Sequence, residues 1–406
     1  MIAIDTSSSQ VNNFGTLAAK FQHISQQKIP DFATYKPDFK NIRALAKKYG
    51  AVKNIVVIGR GGSITSTEAI YKNLGWFQNN KRVYLCNSSD PDFLQYIKKQ
   101  CRPEDSLIIS ISKSGTNIEH LENTFAFADT YRILVVTGTD NNNPLREAAL
   151  VKKWEIIDHP NISGRYSGNT ECAMVPCALI GIDVERVSQA MERAYHNLAP
   201  SIPIEKNDAL RLAAVFYELE QKGFIEIFFS IYSVQAFGFG ELASQLFHES
   251  ICKDEKQGQT LVAFLSPESQ HHFSQRFYGG RKNICGLFLN VKNYTDEASR
   301  TNIPPEIKDL MLREGKLGDI NHISLAHAIH CEYEGNKEDT IRRAIPLVTL
   351  ELDQIDETST GELIALLQYM SVYSSWLREV DPFNQPHVES SKAVSFEKRK
   401  QIAAHI

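Results

Sequence analysis

The segment Leu107-Ile108-Ile109-Ser110-Ile111-Ser112-Lys113-Ser114-Gly115-Thr116-Asn117 changes character abruptly in its middle. Its first half is apolar and rich in isoleucine, which is typical of a buried strand. Its second half is small, hydroxylated and basic, and the stretch over 119–127 that follows is helix-like in composition. The segment therefore predicts a strand, a turn and a helix in close succession.

A turn from a strand into a helix directs backbone N–H groups and the positive end of the helix dipole toward one point. Ser112, Ser114 and Thr116 add hydroxyl donors at this turn, and Lys113 adds a positive charge. These groups suit a phosphate monoester, but the spacing G-x-x-x-x-G-K-[ST] of a nucleotide P-loop is absent. An ordinary polar loop that caps the helix would use the same hydroxyls. The segment alone leaves both interpretations open.

Short apolar runs alternate with helical stretches along most of the chain, which is typical of parallel sheets covered by helices. We therefore predict an α/β protein with two domains, each a parallel sheet flanked by helices. The domains are expected over 41–195 and 204–380, with an N-terminal arm over 1–40 and a C-terminal segment over 381–406. Besides the quoted segment, the predicted strands cover 53–58, 82–86, 132–137, 223–230, 260–265, 283–291 and 347–352.

Bulk composition narrows the class of protein without naming a function. A net charge of −4 over 406 residues gives no general attraction to nucleic acid or to an anionic membrane. The seven cysteines are scattered and form no C-x-x-C pair, which argues for a reducing compartment and against a disulfide framework or a zinc site. No signal peptide or membrane-spanning run is evident. We expect a cytoplasmic protein without nucleic-acid or membrane partners.

The loop Gly59-Arg60-Gly61-Gly62-Ser63 follows a predicted strand and precedes a helix, as a dinucleotide-binding fingerprint does. The match fails because Ile64 stands where the third glycine is required, and the acidic residue on the next strand is missing. These glycines are better explained by a tight turn or by the close approach of a ligand.

Two further groups could carry acid–base chemistry. Glu249 lies at the end of an amphipathic helix, where a carboxylate is either a general base or an ordinary surface charge. In Gln270-His271-His272-Phe273, the adjacent histidines diverge in direction and lack an i, i+4 partner. One imidazole acting as an acid or base is therefore favoured over a metal site.

Two loops supply candidate cations. Arg165 lies in the small-residue loop Ser163-Gly164-Arg165-Tyr166-Ser167-Gly168, and a guanidinium there suits an oxyanion, although a loop arginine is usually a surface charge. The run from Asp381 to Pro386 is predicted to be a rigid turn that launches a helix carrying Lys392. A solvated tail is the alternative, but two prolines and Phe383 argue against simple disorder.

The residues of these segments and their order along the chain resemble the glucose-6-phosphate isomerase (phosphoglucose isomerase) family over roughly residues 50 to 395. The run is Gly-Gly-Ser, Ser-Lys-Ser-Gly-Thr, Ser-Gly-Arg-Tyr-Ser, Glu-Ser-x-x-Lys-Asp, Gln-His and Asp-Pro-Phe-Asn-Gln-Pro-x-Val-Glu-x-x-Lys. The resemblance implies two sugar-isomerase (SIS) domains, each a three-layer α/β/α sandwich, and a homodimer. It also implies that aldose and ketose 6-phosphates are interconverted without a metal or an organic cofactor.

The resemblance also implies roles for individual residues. Glu249 would move a proton between C2 and C1, and Arg165 would stabilise the negative charge that develops. His271, reaching in from the partner subunit, and Lys392 would assist ring opening. The sugar phosphate would be bound by Gly62, Ser63, Ser112, Lys113, Ser114, Thr116, Asn117 and Gln385.

Four residues differ from those that are usual in the family. Ile64-Thr65 replaces a Leu-Gly pair, Asn117 replaces the second threonine of a Thr-Thr pair, and Cys252 replaces a glycine before Lys253. These departures concern substrate specificity and turnover more than the type of reaction.

Two alternatives stay open. The enzyme would use mannose 6-phosphate also or instead, or the protein would be a non-catalytic SIS module that senses phosphosugars. The presence of Glu249, Arg165, His271 and Lys392 together favours an enzyme, because a sensor needs no residue for proton transfer.

Overall fold

The computed structural model describes residues 2–77, 80–296 and 298–405. The strands are β1 Ile2–Asp5, β2 Asn54–Ile58, β3 Arg82–Cys86, β4 Ser106–Ser112, β5 Arg132–Thr137, β6 Glu155–Asp158, β7 Glu226–Ile231, β8 Thr260–Leu265, β9 Ile284–Asn293, β10 Met311–Leu312, β11 Gly315–Lys316 and β12 Leu347–Gln354. The helices are α1 Ala18–Ser25, α2 Asp31–Thr34, α3 Phe39–Lys48, α4 Thr65–Ile70, α5 Pro91–Gln100, α6 Ile118–Phe125, α7 Pro144–Lys152, α8 Glu171–Ile180, α9 Val184–Asn197, α10 Asp208–Gln221, α11 Gly238–Ile251, α12 Phe273–Gly279, α13 Leu325–Arg342, α14 Glu357–Leu377 and α15 Glu389–Ala403.

The first sheet has five parallel strands in the order β3-β2-β4-β5-β6. The central strands are mainly apolar, and successive side chains in a strand point to opposite faces of the sheet. Both faces of these strands are therefore apolar. Ile55 and Val57 of β2 contribute to the large core of the molecule. Val56 and Ile58 contribute to a smaller core that includes Ile97 of α5. Helices thus cover both faces, as the sequence predicts.

The second sheet has the order β1-β12-β9-β7-β8, and its last four strands are parallel. Strand β1 pairs antiparallel with β12. The N-terminal arm expected over 1–40 therefore begins inside the second sheet. The alternating burial of Ile2 and Ile4 explains this placement, because both side chains pack against the large core while the backbone covers the sheet edge.

A layer of helices lies between the two sheets and belongs to one continuous apolar core. Nearly every residue of α14 is buried, including Leu363, Leu367 and Tyr369. The same core contains Ile109 of the first sheet and Leu287 of the second. The predicted α/β class, with parallel sheets flanked by helices, is confirmed. The domain boundaries stay a prediction.

Individual elements differ from the prediction where local signals are weak. Strand β7 begins at Glu226, not at 223, because Gly223 has a positive φ of 89° and follows helix α10. Strand β6 is absent from the predicted set, since its sequence Glu-Ile-Ile-Asp is short and charged at both ends. Its pairing with β5 at the sheet edge supplies what the local sequence lacks.

Candidate active site

The loop between β4 and α6 is built to present hydroxyl groups. The Ser112 hydroxyl accepts a hydrogen bond from the Gly115 N–H at 3.2 Å, and the hydroxyls of Ser114 and Thr116 lie 2.8 Å apart. Gly115 has a φ of +63°, and a Cβ at this position would lie 1.8 Å from Oδ1 of Asn143. The loop conformation therefore requires glycine.

Asn117 begins helix α6 as its N-cap. Its side-chain oxygen accepts a hydrogen bond from the His120 N–H at 2.9 Å. The structure is compatible with a helix-capping loop and with a phosphate-binding loop at the same time. Asn117 caps the helix, while Ser112, Ser114 and Thr116 surround the start of the helix.

Gly62 lets two loops touch. A Cβ on Gly62 would lie 2.1 Å from the carbonyl carbon of Gly164, and the Ser167 hydroxyl donates to the Gly62 carbonyl at 3.1 Å. This close approach places Arg165, the residue after Gly164, beside the glycine-rich loop. Binding of a ligand by Gly62 stays a prediction.

A cavity of about 380 Å³ opens beside the hydroxyl-bearing loop. Seven residues proposed for the site from the sequence line it, at positions far apart in the chain. They are Ser63, Ser112, Lys113, Ser114, Asn117, Gln385 and Lys392. The cavity thus combines hydroxyls, amides and two ammonium groups, which suits a phosphorylated polyol.

Arg165 and Glu249 form an ion pair next to this cavity. The distance from Nε of Arg165 to Oε2 of Glu249 is 2.9 Å, the arginine side chain is fully buried, and the carboxylate is 35% exposed. Nη2 of Arg165 also donates to the side-chain oxygen of Gln385 at 2.7 Å and to the Asn384 carbonyl at 2.9 Å. Nη1 donates to the Pro382 carbonyl at 3.0 Å. The guanidinium thereby joins the predicted base to the C-terminal segment.

Two residues without a role predicted from the sequence contact Glu249, Gln245 at the carboxylate and Lys253 at the backbone carbonyl. Gln245 donates to Oε1 of Glu249 at 3.0 Å and accepts from the Thr65 hydroxyl at 2.8 Å. Its i−4 spacing on α11 was the signal available in the sequence. Lys253 donates to the Glu249 carbonyl at 2.5 Å and also to the Asn384 carbonyl. Burial, together with the charge of Arg165, lowers the pKa of Lys253 to about 8.

Arg60 is a further cavity residue that the sequence analysis did not assign. It lines the cavity and donates to the Cys86 carbonyl at 3.0 Å and to the Ser89 hydroxyl at 2.9 Å. Its Nε lies 3.5 Å from a carboxylate oxygen of Glu119 on α6. Lys113 in the same cavity is half-buried, and this burial lowers its pKa, with Asp140 acting in the opposite direction. The cavity therefore contains a third basic residue, Arg60, together with the carboxylate of Asp140.

His271 lies apart from these residues. It ends a short 3-10 turn over Glu268–His271, after β8, and its side chain is exposed. The described contacts do not bring it to Glu249 or Arg165 within one chain. Lys392 lines the cavity but donates to Glu389 of its own helix at 2.7 Å. Roles in ring opening stay predictions for both residues.

The arrangement can bind an anion and move a proton. A buried guanidinium held by several acceptors is a preorganised positive charge, and an adjacent, partly exposed carboxylate can reach a substrate. Over the ranges 2–77, 80–296 and 298–405, no helix is long and apolar enough to cross a membrane.

Curated proteins that are similar to this chain along most of its length bear the name glucose-6-phosphate isomerase. No protein-family profile matches the chain. The chain is 26% identical over 362 residues to the glucose-6-phosphate isomerase of Methanocaldococcus jannaschii, covering 87% of this chain and 86% of that protein. It is 27% identical over 375 residues to the glucose-6-phosphate isomerase of Acholeplasma laidlawii, covering 89% and 86%.

Solved structures show the same fold. A hypothetical protein from Thermus thermophilus superposes with a TM-score of 0.85 at 21% identity, covering 99% of this chain and 100% of that one. A glucose-6-phosphate isomerase from Chlamydia trachomatis superposes with a TM-score of 0.72 at 16% identity, covering 98% and 78%. This chain is therefore a homologue of the glucose-6-phosphate isomerases and shares their fold.

Proposed function

We propose that the protein is an aldose–ketose isomerase that interconverts glucose 6-phosphate and fructose 6-phosphate. The observation that carries the proposal is the ion pair of Arg165 and Glu249 beside a cavity lined by hydroxyls and lysines. The homologues bearing the name glucose-6-phosphate isomerase support the same reaction.

The phosphate group anchors the substrate in this mechanism. Ser63, Ser112, Ser114 and Thr116 donate hydroxyl hydrogen bonds to it, and Lys113 supplies positive charge. Asn117 caps the helix whose N-terminus faces the same loop. Binding energy from this remote group holds the reacting carbons in place.

Ring opening precedes the isomerisation. His271 of the partner subunit and Lys392 transfer or hold the proton at the ring oxygen and its hydroxyl. Lys392 lies at the cavity wall, which supports this role. The exposure of His271 is compatible with a contribution to a neighbouring subunit.

Glu249 then moves one proton between C2 and C1 through a cis-enediol intermediate. A proton next to a carbonyl is weakly acidic, so the base needs a nearby cation that stabilises the enediolate oxygen. Arg165 is that cation, and its hydrogen bonds to Pro382, Asn384 and Gln385 hold its charge in position before substrate binds. Gln245 orients the carboxylate from the other side.

We propose in addition that the protein acts as a homodimer in the cytoplasm. The exposed position of His271, for which no contact with Arg165 or Glu249 is described within one chain, supports the dimer. The seven cysteines are unpaired, which is the usual state in a reducing compartment.

A coupled assay tests the function directly. Purified protein is given fructose 6-phosphate, and formation of glucose 6-phosphate is followed through a dehydrogenase. A parallel reaction uses mannose 6-phosphate. Turnover of fructose 6-phosphate to glucose 6-phosphate supports the proposal, and exclusive turnover of mannose 6-phosphate replaces it with the alternative specificity. Binding of either sugar phosphate without turnover would identify a sensor instead.

A further inference from the structure

Helix α15, which carries Lys392, is not held in place by burial. No residue of α15 is buried, and Val394, Phe396 and Ile402 are exposed apolar side chains on it. A helix in this situation gains little from packing, because most helical stability in proteins comes from an apolar face against the core. Within one chain, the position of α15 therefore depends on polar contacts.

The first of these contacts lies before the helix begins. Arg165 binds the carbonyls of Pro382 and Asn384, and Lys253 also donates to the Asn384 carbonyl. The His387 ring nitrogen lies 3.0 Å from the Lys253 carbonyl. These bonds hold the segment that leads into α15, but they leave the direction of the helix undetermined.

The second contact lies in the second half of the helix. Nε of Arg399 donates to Oε1 of Glu122 at 2.6 Å, and Nη2 donates to Oε2 at 3.0 Å. This is a bidentate pair, which restrains orientation as well as distance. Glu122 belongs to α6, the helix that begins at the phosphate-binding loop proposed above.

The two contacts place α15 alongside α6. Lys392 and Arg399 are seven residues apart, so they share one face of α15 at about 10 Å. Arg399 meets Glu122, and Lys392 lines the same cavity as Asn117 at the start of α6. The pair of Arg399 and Glu122, in the second half of α15, therefore helps to set the distance between Lys392 and the loop over 112–117.

We propose that Arg399 and Glu122 are positioning residues that hold Lys392 over the sugar-phosphate cavity, an inference that rests on the proposed isomerase function. The side chains of Arg399 and Glu122 are 33% and 46% exposed. Glu119 on α6 also attracts Arg399, and Nε of Arg60 lies 3.5 Å from the Glu119 carboxylate. An ion pair with this exposure contributes little free energy and is screened by salt, so its effect on the position of Lys392 is expected to be modest and to depend on salt concentration.

Substitution of Arg399 separates positioning from binding. Arg399→Gln is expected to lower kcat about five-fold, the size of effect that loss of one partly exposed ion pair produces, with little change in KM. The loop that binds phosphate is untouched in this variant. Lys400→Gln is the matched control, because Lys400 pairs with Glu397 within α15 and its replacement removes the same charge. The control should keep the kcat of the wild type.

Charge reversal tests the pair itself. Arg399→Glu should lower kcat further than Arg399→Gln, and the double variant Arg399→Glu with Glu122→Arg should recover to within about two-fold of the wild type. Raising NaCl from about 0.05 M to 0.5 M should lower the kcat of the wild type toward that of Arg399→Gln and leave the variant nearly unchanged. An Arg399→Gln enzyme with unchanged kcat, or a folded double variant without recovery, overturns the proposal.

Hydrogen exchange provides a measurement that does not depend on turnover. Amides of residues 389–403 should exchange faster in Arg399→Gln than in the wild type, and at the wild-type rate in Lys400→Gln. Equal exchange in all three proteins overturns the positioning role. Absence of sugar-phosphate turnover in the wild type would contradict the proposed function, while the exchange result would still decide whether the pair holds the helix.

Discussion

Glu249 combines partial exposure with strong local restraint. Its two carboxylate oxygens are bound by Arg165 and Gln245, and its side chain is 35% exposed beside the cavity. The combination indicates a group that is aimed before substrate arrives and that remains accessible to it.

Replacement of Glu249 by glutamine should abolish isomerisation while sugar-phosphate binding persists. The amide keeps the shape of the side chain but cannot accept a proton from carbon, so kcat should fall at least about a thousand-fold. A coupled assay gives kcat, and calorimetric titration with fructose 6-phosphate gives the affinity. Glu241→Gln is the control, since Glu241 is an exposed residue on the same helix. Retained turnover would remove Glu249 from the chemistry.

His120 links the loop region to the pH dependence of stability. Burial, with a contribution from Arg60, lowers its pKa from 6.5 to about 3. The unfolded chain therefore binds more protons than the folded one between about pH 3 and pH 6.5. Stability from this group is complete above pH 6.5 and falls as the pH decreases through that window.

The resulting prediction concerns urea unfolding at two pH values. Between pH 7.5 and pH 5 the free energy of unfolding should fall by about 2 kcal/mol through His120 alone. His120→Gln can keep the hydrogen bond to Ser110, which is 2.8 Å in the wild type, but does not titrate. The free energy of unfolding of His120→Gln should therefore fall by about 2 kcal/mol less than that of the wild type between pH 7.5 and pH 5. An identical loss in both proteins would show that His120 is not the titrating group.

The loop over 112–117 depends on backbone conformation as much as on its hydroxyls. Gly115 adopts a φ of +63°, and its Cα faces the side chain of Asn143, which also donates to the Thr137 hydroxyl and the Gly138 carbonyl. Asn143 in turn caps helix α7. The loop is therefore held by the neighbouring strand and helix, and not by its own sequence alone.

A methyl group at Gly115 should disrupt this arrangement. Gly115→Ala is expected to raise KM for fructose 6-phosphate roughly ten-fold, because the added Cβ collides with Asn143 and the residue must leave its left-handed conformation. Steady-state kinetics measures the effect. Gly335→Ala is the control, since a Cβ there meets nothing within 4 Å in the middle of α13. Similar kinetics for Gly115→Ala and the wild type would contradict the phosphate-binding role of the loop.

Within one chain, no described contact joins His271 to Arg165 or Glu249. The histidine lies exposed after β8 in the second sheet, whereas the cavity lies beside the loops that follow β2 and β4 of the first. A second copy of the chain is the source of the missing imidazole in our proposal. That geometry has a consequence for mixtures of inactive subunits.

Mixed dimers of His271→Ala and Glu249→Gln subunits should regain activity. In such a dimer the His271→Ala subunit keeps its own Glu249 and receives His271 of the Glu249→Gln partner, so one of two sites is complete. Co-expression with two affinity tags isolates the mixed dimer, and its kcat per dimer should approach half that of the wild type. Each variant alone serves as the control. A mixed dimer no more active than its parents would place His271 and Glu249 in the same subunit, or outside the reaction.

The local sequence was sufficient for much of the fold. Strands such as β3, β5 and β8 have the predicted bounds because they are apolar runs between clear turn signals. Strands β1 and β6 could not be predicted, since each is short and gains its stability from pairing with β12 or β5 at a sheet edge. Edge pairing is a long-range interaction that composition does not encode.

The sequence by itself determined the α/β class and the strand, turn and helix segment that carries Ser112, Ser114 and Thr116. These two features follow from periodicity and side-chain chemistry within short windows, whereas Glu249 and Arg165 were singled out by the resemblance to a known family. Only the tertiary structure decided that Arg165 meets Glu249 at 2.9 Å, that Gln245 and Arg60 join the site, and that Arg399 ties α15 to Glu122. The reason is that packing brings together segments as far apart as the 277 residues between Glu122 and Arg399, and such contacts depend on the whole chain folding.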